Sequence, residues 1–170
     1  MRKVLLTLAA LALTACCSQA VAGETGVPNR LAVAKVGEWA SYNVPNGYIQ
    51  KLTVVKREGE GSEALVTVRV DNIYDGQLVN STEFTRDAGE PFEQPRVEMG
   101  PGVKVDIDTE RKTVKGKSIE VTVVEIEYDY DDDEDEDIEW HVSAEIPVFG
   151  ILKRVENDET VFELVDFGES

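Results

Sequence analysis

Apolar and polar residues alternate with a period of two along most of the chain after Gly37. Ala64, Val66, Val68 and Val70 interleave with Leu65, Thr67, Arg69 and Asp71. Val103, Val105 and Ile107 interleave with Lys104, Asp106 and Asp108. Ile138, Trp140, Val142, Ala144 and Ile146 do the same with Glu139, His141, Ser143 and Glu145. Successive side chains of a strand point to opposite faces, so each run describes a strand with one buried and one wetted face. The pattern predicts strands near 37–44, 47–57, 63–74, 77–86, 103–109, 117–128, 138–146, 151–156 and 160–167. Pro45-Asn46-Gly47, Gly59-Glu60-Gly61, Asp75-Gly76, Gly150 and Asn157-Asp158 separate them as turns. Along 117–128 the apolar phase slips from Ile119, Val121 and Val123 to Val124, Ile126 and Tyr128. A β-bulge near Val123-Val124 is the expected cause. No stretch carries a helical stripe over 11 or more residues, and Arg30 to Val36 has room for a turn or two at most. The expected fold is all-β, a curved antiparallel meander of about nine strands, half-barrel or sandwich-like.

Residues 87–102 break the alternation with Pro91, Pro95, Pro101, Gly89, Gly100 and Gly102, and read as a long loop. The N-terminus reads differently again. Met1-Arg2-Lys3 precedes an apolar run from Val4 to Leu13, the layout of a secretory signal. The run falls well short of the roughly 20 residues that span a bilayer. Two cleavage readings stand. Leu13-Thr14-Ala15-Cys16 resembles a bacterial lipobox, which would make Cys16 the lipidated residue, whereas Ala20-Val21-Ala22 before Gly23 suits ordinary signal peptidase. The position of Cys16 against the end of the apolar run favours the lipoprotein, whose acyl chains would supply stable anchoring. The expected division is a signal segment at 1–22, a tether at 23–36 and a single β domain at 37–170. The expected location is exported, either periplasmic or anchored in the outer membrane.

Charge narrows the partners. The chain has 17 basic and 34 acidic residues, a net charge of −17. Nucleic acid is excluded, because binding it needs a basic face. Contact with a membrane is expected only through a lipid on Cys16. Cys16 and Cys17 are the only cysteines and are adjacent, so neither staples the fold. A domain of about 150 residues buries about 68–70% of its unfolded surface and can stand on its core.

Asp129-Tyr130-Asp131-Asp132-Asp133-Glu134-Asp135-Glu136-Asp137 holds eight carboxylates among nine residues. Such oxygen density suits Ca²⁺, and Asp129, Asp131, Asp133 and Asp135 are the candidate ligands for weak binding. The spacing is not that of an EF-hand: Glu136 stands where glycine is required and Val142 where glutamate is. A solvated hairpin loop that keeps the protein soluble is the favoured reading of the run. His141, the only histidine, falls on the polar face beside Glu139 and Ser143 and is expected to be exposed. Ser143 lacks the Gly-x-Ser-x-Gly elbow, and the chain has no phosphate loop or dinucleotide fingerprint. No catalytic residue and no cofactor beyond weak calcium is expected. Trp39, Trp140, Tyr42, Phe149, Phe162 and Phe167 are expected core residues, some of which would line an apolar cavity if the sheet curls without closing.

Trp140-His141-Val142-Ser143 with Ile146-Pro147-Val148-Phe149-Gly150-Ile151-Leu152-Lys153, and the ending Leu164-Val165-Asp166-Phe167-Gly168, resemble small exported bacterial proteins of unknown function. Gly37-Glu38-Trp39 and Val114-Lys115-Gly116-Lys117 resemble their opening and middle. More distantly the chain looks like the half-barrel of the lipoprotein carriers LolA and LolB, which lay helices across the open side of a curved sheet. The resemblance implies a shared sheet. The function expected is that of a non-enzymatic envelope protein binding an apolar or lipidic ligand, or a protein partner, in its concave face. The alternative is a structural or adhesion-type acidic surface protein with weak calcium binding at 129–137.

Overall fold

A computed structural model describes residues 30–90, 103–128 and 136–170. Cys16, the segment 91–102 and the acidic residues 129–135 lie outside the described residues. Among the described residues nine strands make one antiparallel sheet: β1 (Glu38–Val44), β2 (Tyr48–Glu58), β3 (Leu65–Tyr74), β4 (Gln77–Asp87), β5 (Val103–Val114), β6 (Lys117–Tyr128), β7 (Glu136–Val142), β8 (Ile151–Glu156) and β9 (Glu159–Glu169). Two-residue turns with both residues at positive φ, the geometry that suits the twist of a hairpin, join three of the pairs. They are Asp75-Gly76, Lys115-Gly116 and Asn157-Asp158.

The spatial order is β4-β3-β2-β1-β9-β8-β7-β6-β5. Strands from opposite ends of the domain, β1 and β9, pair at the centre, while β4 and β5 form the two edges. The sheet is not closed into a barrel. It is strongly curled. Phe84 on edge strand β4 stacks on Phe149, just before β8, with ring centroids 6.3 Å apart and planes 8° from parallel. Five strand spacings of a flat sheet would separate them by about 24 Å. Curling places Val66 and Val68 of one wing and Val124, Ile126 and Trp140 of the other in one buried cluster with Leu52 and Val54.

The bulge expected at Val123-Val124 is absent. Pairing runs without a shift from Val103↔Tyr128 to Val114↔Lys117 and from Thr122↔Val142 to Tyr128↔Glu136. The apolar phase changes because β6 is covered on opposite faces at its two ends. Val124 and Ile126 enter the concave cluster, while Ile119, Val121 and Val123 pack with Ile146 and Leu152 on the convex side. Register shifts instead fall at Ser41/Tyr42, Val54/Lys56, Asn72/Ile73, His141/Val142 and Arg154/Val155. Irregularities of this kind bend strands and favour a coiled sheet.

The strand expected over 138–146 stops at Val142. Residues 143–150 form a loop whose ends are tied by the Ser143 N–H donating to Gly150 O at 2.7 Å. Pro147 has no N–H to give to a ladder. The loop is nonetheless buried from Ile146 to Gly150. Ile146 enters the convex cluster, and Val148 and Phe149 enter the concave one. Packing also reaches back into the stretch that reads as tether, because Leu31 and Ala34 belong to the core.

The two edges differ in chemistry. β5 carries Lys104, Asp106, Asp108, Glu110, Arg111 and Lys112, the charges with which proteins guard an open edge. On β4 the segment Gln77–Thr82 has no charge, and Leu78 and Val79 are 62% and 56% exposed.

Candidate functional site

The concave face holds an apolar cavity of about 310 Å³. β1 contributes Tyr42, and β2 contributes Gln50 directly opposite it. Leu52 and its cross-strand neighbour Val70 form one wall. Phe84, Phe149, Ile151 and Phe162 complete the lining. Tyr42 meets Phe162 edge to face at 6.0 Å, and Phe84 and Phe149 make the stacked pair. Among the described residues no charged side chain is part of the lining. Concave, mostly apolar walls with a few polar groups are how small-molecule sites are built, and their volumes begin near about 300 Å³.

Tyr42 is the unusual member. It is 2% exposed, and its hydroxyl has no hydrogen-bond partner among the described residues. Buried phenols ordinarily find one. Burial pushes its ionisation far above the ordinary tyrosine range, so the group stays a neutral O–H. Tyr42, Phe149 and Phe162, expected as core aromatics, therefore face this cavity, whereas Trp140 is packed in the core beneath the Arg154 guanidinium at 4.5 Å. Trp39 lies against Gly168 on the other side of β1, with Lys51 Nζ 4.4 Å from its ring.

His141 is not exposed. It is 6% exposed, because Glu110 and Lys112 of β5 and Glu139 of β7 fold their long side chains over it. Alternation identifies the polar face of β7 but does not reveal what covers that face. Lys112 Nζ lies 2.8 Å from Nδ1, and an ammonium only donates, so Nδ1 accepts and Nε2–H donates to Glu139. Glu110 Oε1 is 3.3 Å from Nδ1 and 2.8 Å from Lys112 Nζ. The bond from Lys112 holds the Glu110 carboxyl below its usual range, and Lys117 does the same for Glu145. Ser143 is not coupled to this imidazole. Its Oγ accepts from the Glu145 N–H at 3.2 Å.

Asp129, Asp131, Asp133 and Asp135, the candidate calcium ligands, lie outside the described residues, as does Cys16. Among the described residues no three His, Cys, Asp or Glu side chains converge in a metal-holding group. The convex face does align carboxylates. Asp106, Glu125 and Glu139 stand in one row across β5, β6 and β7. Like charges directly opposite one another destabilise a sheet. Replacing Glu125, the middle of the row, by glutamine is expected to stabilise the protein by about 0.5 kcal/mol at low ionic strength. Added salt should shrink that gain by screening. Thermal melts at two salt concentrations check it; a lower melting temperature for Glu125→Gln would contradict the repulsion.

Compared with family models, with curated proteins and with solved structures, the chain matches none.

Proposed function

We propose that the protein is a non-enzymatic component of the bacterial cell envelope that holds an apolar or lipidic ligand in the concave face of its sheet. The observation that carries the reading is the uncharged cavity of about 310 Å³ between the two wings. Its walls come from both sides of the curl, so a bound apolar molecule would bridge β2 and β3 to Phe149 and Ile151 and bury surface on all of them. The secretory pattern and the lipobox-like Cys16 support the envelope location, and the net charge of −17 supports a partner other than nucleic acid. The distant likeness to the lipoprotein-carrier half-barrel agrees with an apolar occupant. Among the described residues no α-helix lies across the concave side; Phe149 from the 143–150 loop reaches in instead.

The test is a titration of the 23–170 chain with diphenylhexatriene, a hydrocarbon dye that fluoresces only away from water. Saturable binding at one site per chain is expected. A linear, non-saturating signal would rule the reading out.

A further inference from the structure

The Tyr42 hydroxyl raises a question that burial of apolar surface leaves open. It is sealed from solvent, it remains an O–H, and none of the described residues accepts its hydrogen bond. An orphaned buried donor destabilises the fold relative to one that is paired. A phenylalanine here would keep the ring and its edge contact with Phe162 without that cost. Among the described residues the other polar side chain of the lining, Gln50, is its direct cross-strand neighbour. The polar side chains among the described lining residues are thus side by side, with the Tyr42 hydroxyl just behind the cavity wall, and the rest is hydrocarbon and aromatic.

Resting on the reading above, we propose that the ligand is an uncharged amphiphile, such as an ester or alcohol of a hydrocarbon chain, whose oxygen accepts the Tyr42 O–H bond. Three observations select against an anion. Among the described residues no cationic side chain lines the cavity: Arg86, over the Phe84 ring, and Arg154, cross-strand from Phe162 and paired with Glu156, stand outside the lining. The chain repels anions with its net charge of −17. A neutral phenol supplies one ordinary hydrogen bond, which suits a neutral acceptor. Because the hydroxyl atom exposes under 1 Å², the acceptor must displace a lining side chain to meet it. Phe162 is a lining side chain in edge-on contact with the Tyr42 ring.

The experiment compares methyl decanoate, decanol and ionised decanoate as displacers of diphenylhexatriene from the wild-type chain and from Tyr42→Phe at pH 8. The ester and alcohol should bind at least tenfold more tightly than decanoate to the wild type. In Tyr42→Phe the affinity of ester and alcohol relative to the hydrocarbon dye should fall about five- to tenfold. The melting temperature of unliganded Tyr42→Phe should equal or exceed that of the wild type, which a structural hydroxyl would not allow. Decanoate binding as well as its ester, an unchanged ester-to-dye ratio, or a lowered melting temperature would each overturn the proposal while leaving the apolar cavity standing. Failure of the dye to bind the wild type would remove the cavity reading itself, and this inference with it.

Discussion

Replacing Arg57 by methionine is expected to cost about 3 kcal/mol of stability, read as a lower denaturant midpoint at unchanged slope. The guanidinium is the donor for an entire corner of the fold. Nη1 donates to Leu31 O and Ala34 O, both at 3.1 Å, and Nη2 donates to Ala32 O at 2.9 Å and Gly61 O at 3.0 Å. Leu31 and Ala34 sit on the 30–34 segment and belong to the concave core. Methionine keeps the length of the side chain and its contact with apolar neighbours but supplies no donor. Those carbonyls must then find water, and the 30–34 segment loses its tie to β2. Arg57→Lys should recover less than half of the loss, since one ammonium cannot reproduce the planar fork. A midpoint unchanged in Arg57→Met would show that the corner is held by Leu31 and Ala34 alone.

Gly150→Ala is the second large effect, expected at about 3 kcal/mol, or a fall in melting temperature on the order of 10 °C. Gly150 has φ +77°, and a Cβ there would lie 2.9 Å from the Ser143 carbonyl oxygen and 3.4 Å from Arg30 Cβ. Neither the backbone oxygen nor the tie between Ser143 and Gly150 can yield without opening the loop that delivers Phe149 to the cavity. Gly76 is the internal control. It has a similar φ of +72°, but nothing lies within 4 Å of its Cβ position. Gly76→Ala should therefore cost only the conformational penalty, about 1–2 kcal/mol. The difference between the two variants measures the close approach. Equal melting temperatures would mean that the loop is free to rearrange.

These two positions mark where sequence reasoning stops. Strand locations were legible because alternation along 64–70 and 103–107 and the paired turn residues at 75–76 and 157–158 are local signals, and β-hairpins form from local signals. The phase slip in β6 was visible too, yet its cause was not. A bulge and a change of covered face leave the same mark on one strand, and only the neighbours' unbroken pairing separates them. Ala144 and Ile146 continued the alternation of β7, but Pro147 and the Ser143–Gly150 closure turned that segment out of the sheet. Alternation places His141 on the polar face of β7 but cannot show that it is buried, because its cover comes from Glu110 and Lys112, far away in the chain.

The candidate site was half legible. A curled, unclosed sheet implied that some aromatics would line a cavity, and Tyr42, Phe149 and Phe162 do. Phe84 and Gln50 carry no such mark in the sequence. Phe84 lies on β4, the edge strand with the least alternation, and joins the wall only because the curl brings it to Phe149. Nothing in the sequence marks the Tyr42 hydroxyl as unpartnered, since that depends on every side chain packed around it. Arg57 gave no signal either, as its acceptors are backbone carbonyls.

The central claim is that the space between the wings is a binding site and not a packing imperfection. Filling it distinguishes the two most directly. Val70→Phe adds a ring where the wall of β3 faces the cavity, leaving Tyr42 and Gln50 untouched. Calorimetric melting together with diphenylhexatriene titration should then show an unchanged or raised melting temperature and at least tenfold weaker dye binding. Undiminished dye binding in a folded Val70→Phe protein would contradict the account.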